Sequence, residues 1–309
     1  MQPPPLGYEP GPLPSATDAD ATAAPPAARL RPMRLQALLF LLTCLTTFAA
    51  GVSGWQADLL GFDEHFGLEM AEHWQRGLLY MAAVLAVLGA HEAGHFIAAW
   101  LHNIPATLPF FIPVPVLLTG TMGAVIGMEG SRANRRQLFD IALAGPLAGL
   151  VVALPILAIG LLTGEPAKYS PFAMPPLARG ILGLVRPDIA ADLTIAPNAL
   201  FMAGWVGLLV TGLNMIPISQ LDGGHVSYAI FGRRAHWIAR SVLIASIAAI
   251  VILGRTNWIA MVVIVTLLGT DHPPIRADGR PLGLARTVLG VLSFLIPIVT
   301  FMPEPLLLD

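Results

Sequence analysis

The sequence predicts an all-α integral membrane protein with about seven transmembrane helices, and three properties of the chain support this fold class. Of its 309 residues, 55% are hydrophobic and only 12% are charged. Its mean hydropathy is +0.71. Several apolar runs are long enough to cross a bilayer, because about 20 helical residues suffice. The net charge of −2, with no basic tract, predicts no nucleic-acid partner.

Composition divides the chain into four regions. Residues 1–33 are rich in Pro and Ala and are predicted to form a disordered cytoplasmic tail. Residues 34–76 hold the first transmembrane helix and a polar loop, and residues 77–230 form a membrane core that carries the candidate site. Residues 231–309 supply the C-terminal transmembrane helices. The first apolar run follows arginines, as in a signal peptide, but the long tail before it favours an uncleaved span.

Within the core, residues 103–137 interrupt the helical pattern. Prolines recur between positions 105 and 115, and proline ends helices. The glycine-rich piece at residues 123–129 is predicted to form a short strand. Apolar irregular backbone is tolerated at membrane depth only where it is buried in protein or lines a cavity. We therefore predict a re-entrant loop with a short β element after the second span.

The remaining spans follow from apolar runs that polar segments separate. Residues 138–162 form the third span, and residues 163–198 are predicted to be a polar loop. The later spans are predicted at residues 200–221, 237–254, 258–270 and 284–301. Lys and Arg are concentrated on one side of this arrangement, which by the positive-inside rule places the N-terminus in the cytoplasm. The protein is thus predicted to be multi-pass, in a bacterial inner membrane.

The second span contains the pentapeptide HEAGH at residues 91–95. Histidines four residues apart lie one turn apart on the same helical face, and this spacing can hold one zinc ion. Glu92, next to them around the helix, is placed to act as a general base toward a water at the metal. The alternative is a chance pentapeptide whose histidines only bond within a helix bundle. Hydrocarbon makes an idle glutamate and two idle histidines costly, which favours the metal site.

A third metal ligand must come from elsewhere in the chain, since a hydrolytic zinc ion takes three protein ligands and keeps one position open. Asp222 is the best candidate, because it ends the predicted fourth span at a depth similar to that of His95. Pro217 breaks the helix before it, and Gly223 after it lets the backbone approach closely. The alternative is a solvated aspartate at a helix end.

Two other polar side chains of the membrane core, Asn214 and His225, each have two possible roles. Asn214 is a candidate catalytic residue, because it can donate a hydrogen bond to a developing oxyanion or hold the substrate backbone. It can equally bond two helices together. His225 can stabilise a transition state or simply lie in the membrane interface. The other histidines near predicted span ends are assigned to that interface: His73, His102, His236 and His272.

These motifs resemble those of the site-2 protease family of intramembrane zinc metalloproteases. The matching pieces are HExxH at residues 91–95, the pair Gly145-Pro146, and the pattern NxxPxxxLDG at residues 214–223. The small residues around Gly145 also permit close helix approach. The chain departs from the family in having no evident PDZ domain between its third and fourth spans. That difference puts control of substrate access by such a domain in doubt.

The resemblance implies a zinc metalloendopeptidase with Zn²⁺ as its cofactor. His91, His95 and Asp222 resemble the family's zinc ligands, Glu92 its catalytic residue and Asn214 its substrate-handling asparagine. Members cut single-span membrane proteins within or near the span. Such proteins, within the lipid bilayer, are therefore the expected partners.

Two other functions remain as alternatives. A metal-binding membrane transporter would want several acidic or histidine sites along a pathway, whereas this chain shows one compact set. An inactive protease-like scaffold would not need the intact HExxH motif. The position of Glu92 between the histidines favours hydrolysis over both.

Overall fold

The computed structural model describes residues 33–55, 66–189, 192–218, 220–254, 258–270, 272, 275–276, 280–302 and 304–307. Within these residues the protein is mostly helical, with ten α-helices and two small antiparallel sheets. The helical stretches long and apolar enough to cross a membrane are Met33–Val52, Gly67–Leu101, Arg135–Thr163 and Asp222–Leu253. The helical class is confirmed, and these four stretches agree with a membrane protein. The count of seven spans stays a prediction, and the predicted tail, apart from Met33, lies outside the described residues.

The two N-terminal helices, α1 (Met33–Val52) and α2 (Phe66–Leu101), pack closely at a glycine contact. A Cβ on Gly77 would lie 2.8 Å from the carbonyl oxygen of Phe48. Any larger residue there would therefore push the helices apart. Arg76 adds a polar tie, because its Nε donates to the carbonyl oxygen of Gly51 at 2.7 Å.

The start of α2 corrects the prediction that residues 34–76 end in a polar loop, because residues 66–76 are helical. This segment contains no proline and is rich in residues of good helix propensity. Glu69 in its first turn also complements the positive end of the helix dipole. The polar residues that suggested a loop are instead carried by a helix that continues beyond the apolar run.

Two further helices complete the packed centre of the molecule. α3 (Arg135–Thr163) begins with a capping box, in which the side chain of Asn134 accepts from the N–H of Gln137 at 3.0 Å and the Gln137 side chain accepts from the Asn134 N–H, also at 3.0 Å. α5 (Ala199–Asn214) is buried along most of its length against α2 and α3. The core therefore sits where α2, α3 and α5 meet.

A β-hairpin follows α2. β1 (Phe110–Pro113) pairs with β2 (Thr121–Val125), with Phe111 opposite Ala124. β1 packs against α1, so β2 is the outer strand. The predicted short β element is confirmed, but its entry into the membrane stays a prediction. The strand ends before residue 129 because only the isolated bridge between Ala106 and Met128 continues the pairing beyond Val125.

The predicted polar loop at residues 163–198 contains regular structure. β3 (Pro166–Ala167) pairs with β4 (Thr194–Ile195), and α4 (Pro176–Val185) lies between them. α4 has proline in its first turn, and it buries Ala178 and Leu182 while Leu184 is exposed. Charged residues on both sides of this short amphipathic helix made the segment resemble a loop.

The helices after α4 differ from the predicted spans mainly in their ends. α5 ends at Asn214, and residues 215–218 and 220–221 are non-helical before α6 (Asp222–Phe231) begins. The predicted span at residues 200–221 is therefore wrong at its end. Asp222 is therefore the first residue of α6. The helices that follow are α7 (Ala235–Leu253), α8 (Ile259–Leu268), α9 (Leu284–Ser293) and α10 (Leu295–Thr300).

Candidate metal centre

Helix α2 places the HExxH residues deep in the protein. His91 is 3% exposed, Glu92 4% and His95 7%. The two imidazole rings lie on one face of the helix with their centres 4.9 Å apart. Burial of three ionisable side chains next to one another is costly unless they share a partner or an ion.

Asp222 is the shared partner. Its Oδ2 lies 3.2 Å from Nε2 of His91 and 3.3 Å from Nε2 of His95. The ligand atoms of a tetrahedral zinc ion with ordinary bond lengths lie about 3.3 Å apart, so this donor set fits zinc. In the described part of the chain, these residues form the sole group of three or more His, Cys, Asp or Glu residues with the spacing of a metal site.

The hydrogen bonds of the histidines leave their Nε2 atoms, which lie near Asp222, in position to bind a metal. Nδ1–H of His95 donates to the carbonyl oxygen of Ile141 on α3 at 2.8 Å. This bond fixes the tautomer in which Nε2 carries a lone pair that faces Asp222. Nδ1 of His91 has no hydrogen-bond partner among the described residues. His91 is thus oriented by packing and by Asp222 rather than by a bond on its far side.

Glycines of α3 make room for both imidazoles. A Cβ on Gly145 would overlap the ring of His95, and a Cβ on Gly149 would lie 3.1 Å from Nδ1 of His91. The Gly145-Pro146 motif therefore lets α3 pack directly on the face of α2 that carries the two candidate metal ligands. The sequence indicated close helix approach here, and the structure identifies the rings as what fills the space.

Another glycine brings Asp222 to this face. The end of α5 and the start of α6 form a tight corner, in which a Cβ on Gly223 would lie 2.6 Å from the carbonyl oxygen of Ile216 and would overlap that of Met215. Only a residue without a side chain allows α6 to begin so close to the end of α5. The carboxylate of Asp222 thereby returns to the histidines, although α5 itself has ended.

The candidate metal ligands line a cavity of about 650 Å³, and Asn214, His225 and His272 border the same cavity. Nδ2 of Asn214 lies 3.5 Å from Nε2 of His91, which places the amide next to the donor set. His225 also borders the cavity, with its Nδ1 2.6 Å from Nε2 of His272. The assignment of His272 to the membrane interface is wrong, because this residue is only 9% exposed and lines the cavity.

The other predicted interface histidines lie away from the metal ligands. His73 has a half-exposed side chain beside Glu72. His102 lies 3.1 Å from Asp140, and His236 stacks on Tyr228 with ring centres 5.8 Å apart. Tyr228 also stacks on His272, at 4.2 Å. No sequence motif connects Tyr228 and His272, so their contact could not be predicted.

The protein has helices of spanning length and a buried group of two histidines and one aspartate that can hold a metal ion. These features place it in the class of membrane metalloproteins. Within that class, residues 79–254 match the sequence profile of peptidase family M50, and the chain belongs to this family. The resemblance drawn from the motifs is thus confirmed. Zinc, the metal that fits the donor set, is the cofactor this family implies.

Curated relatives with similar sequences are named as probable zinc metalloproteases of chloroplasts. EGY2 of Arabidopsis thaliana is 32% identical over 280 residues, which cover 86% of this chain and 48% of the relative. EGY1 of Oryza sativa subsp. japonica is 33% identical, over 71% of this chain and 39% of the relative. The chain therefore spans about half the length of these relatives or less. No solved structure matches the chain.

Proposed function

We propose that this protein is a zinc metalloendopeptidase that cleaves single-span membrane proteins within or near their spans. One observation carries the proposal. The donor atoms of His91, His95 and Asp222 converge beside Glu92. Helix α2, which holds His91, Glu92 and His95, is long and apolar enough to cross a membrane. The names of the relatives, which state zinc metalloprotease, support the same chemistry.

The proposed reaction assigns a separate task to each residue. A zinc ion held by His91, His95 and Asp222 would supply a Lewis acid and make water nucleophilic at neutral pH. Glu92 takes the proton from that water and passes it to the leaving amine. Asn214 donates a hydrogen bond to the carbonyl oxygen of the scissile peptide, where negative charge develops.

A metal transporter is the second candidate, and the structure favours it less. Transport through a membrane uses several ionisable sites along a pathway. Among the described residues, one compact group of possible metal ligands is present, and it lies in a cavity beside a carboxylate, Glu92, that is not part of that group. A scaffold without activity would not require that carboxylate.

The proposed activity can be tested with the purified chain in lipid nanodiscs and a panel of tagged single-span membrane proteins. We expect at least one of them to be cut in or near its span, with activity lost on chelation and restored by zinc. The readout is the mass of the fragments, which locates the cut. Retention of zinc with no cleavage of any panel member, or cleavage that resists chelation, would contradict the proposal.

We further propose that the outer edge of the β-hairpin holds the substrate in extended form. A helical peptide bond is shielded by its own hydrogen bonds, so it must unwind, and its N–H and C=O groups then need partners. β2 borders the metal cavity. Beyond its end, the carbonyl oxygen of Gly127 accepts from the N–H of Thr107, and the N–H of Glu129 donates to the carbonyl oxygen of Pro105, so both face residues 105–107. Successive peptide groups of extended backbone face opposite edges. We therefore infer that the N–H of Ile126, which lies between β2 and Gly127, faces the other side. An unwound substrate can pair there as an added strand.

Ile126→Pro tests this strand pairing, because proline removes the N–H that would bond the substrate. We expect turnover to fall about fivefold, the value of one hydrogen bond, while zinc content stays normal. Ile126→Ala is the matched control, since it shortens the side chain and keeps the N–H. Equal turnover of the two variants, with zinc retained in both, would remove strand pairing from the mechanism. The same reasoning predicts Gly, Pro or Asn near the cut site of substrates.

The orientation of the chain is also a proposal, with the N-terminus on the side that carries most arginines. The names of the relatives place them in chloroplasts, so the comparisons give no support to a bacterial inner membrane. We expect a cysteine at Arg135 to react with an impermeant reagent from the N-terminal side only, and one at Lys168 from the opposite side only. Cys44→Ala provides the background without a native thiol. Labelling of both positions from one side would overturn the predicted span count, because α3 would not separate them. Labelling of each position from the side opposite to the expected one would reverse the orientation.

A further inference from the structure

A second cavity, of about 450 Å³, lies where α2 ends and α3 begins. Polar side chains dominate its lining: His102, Asn103, Ser131, Arg132, Gln137 and Arg276. None of these residues is a candidate metal ligand. The cavity therefore has a chemistry of its own, rich in hydrogen-bond donors and in guanidinium groups.

The charges around this cavity leave it positive. Within the described part of the chain, the guanidinium of Arg276 has no hydrogen-bond or ion-pair partner, although its backbone N–H donates to the carbonyl oxygen of Ala133 at 3.1 Å. Arg132 is paired through Nε alone, at 2.5 Å from Glu129 Oε2. The nearby acid, Asp140, is already occupied by Arg286, at 2.7 Å and 2.9 Å. Among the described residues, two arginines at the cavity thus share one carboxylate, that of Glu129.

The position of the cavity indicates what it can bind. The C-terminus of α2 and the N-terminus of α3 are ends of helices long enough to cross a membrane, so the cavity lies at a predicted membrane surface. Basic clefts between transmembrane helices at that level bind anionic headgroups. Guanidinium groups match phosphate oxygens in geometry and remain charged. We propose that this cleft binds a phosphate group between Arg132 and Arg276, from either a phospholipid headgroup or free phosphate.

Occupancy of the cleft would connect two walls of the metal cavity. Ser131 lines both cavities, and Ile275, next to Arg276, lines the metal cavity. A phosphate held by both arginines joins the turn after the hairpin to the segment that includes His272. This coupling rests on the proposed protease function, whereas phosphate binding itself does not. The binding test is therefore made without reference to cleavage.

Retention of lipid by the 309-residue chain tests phosphate binding. The detergent-purified protein is given equal amounts of phosphatidylglycerol and phosphatidylcholine, and bound lipid is counted by native mass spectrometry. We expect a preference of about thirtyfold for phosphatidylglycerol, as two basic side chains near an anionic headgroup provide. Arg132→Gln with Arg276→Gln should abolish that preference. Arg233→Gln with Arg234→Gln removes the same charge from exposed positions outside the cleft and should preserve it.

Two further measurements separate the possible outcomes. Calorimetric titration with inorganic phosphate alone distinguishes a lipid headgroup from free phosphate. Heat of binding that is seen for the unmodified protein and lost in the Arg132→Gln, Arg276→Gln variant would identify free phosphate as a ligand. Glu129→Gln removes the carboxylate that competes for Arg132 and should increase the preference severalfold, which tests the site without loss of an arginine. Equal losses in the two double variants would overturn the proposal. So would an unmodified protein with neither a lipid preference nor binding of inorganic phosphate, or a Glu129→Gln variant whose binding is unchanged.

Discussion

Glu92→Gln is expected to reduce cleavage about 10²- to 10⁴-fold, the usual contribution of a general base, while zinc content stays unchanged. Glutamine keeps the size and shape of the side chain at a position that is only 4% exposed. His91, His95 and Asp222 stay in place, so the metal site is retained. Only the ability to accept the proton is lost. The measurements are the cleavage rate of a tagged substrate and the zinc content of the purified variant.

The control for this variant lies on the same helix. Glu72 also belongs to α2, but its side chain is 76% exposed and distant from the cavity lining. Glu72→Gln changes the same charge and should cleave at the unmodified rate. Normal turnover by Glu92→Gln would mean that another group accepts the proton and would remove Glu92 from the proposed reaction.

The local part of the site could be predicted because it follows from the geometry of one helix. Residues four apart share a helical face whatever surrounds them, so His91 and His95 had to lie together once the segment was helical. The match in depth then singled out Asp222. The structure brings these side chains together but delivers Asp222 at the start of α6 rather than at the end of α5. The roles of these residues stay predictions that the variants test.

The parts that escaped prediction depend on contacts between distant segments. His272 reaches the cavity because the chain after α8 returns to α6, where its ring contacts His225 and Tyr228. α4 was missed because a helix of ten residues whose stability comes from packing carries little local signal. The glycines at 145 and 223 were recognisable as small residues, but what fills the space beside them depends on the packing of α2, α3 and α6.

Asp222→Ala is expected to weaken zinc binding by at least about 100-fold, since loss of a direct ligand should cost no less than loss of a supporting residue. Two histidines alone leave the site short of the three protein ligands that catalytic zinc uses. Asp222 Oδ2 is the atom to which both Nε2 atoms are close, so its removal takes away the common point of the donor set. Zinc content and cleavage should therefore fall together.

Thermal unfolding with and without added zinc separates loss of a ligand from loss of the fold. A metal that binds only the folded state raises the unfolding temperature, and the rise depends on the dissociation constant. The unmodified protein should show this rise, whereas Asp222→Ala should show the smallest rise of the variants. Asp222→Asn keeps an oxygen at the same position without its charge and should give a smaller rise than the unmodified protein. Glu92→Gln, which leaves the ligands intact, should show the full rise. An equal rise in Asp222→Ala would mean that the metal binds without this carboxylate, and the ligand set would have to be assigned again.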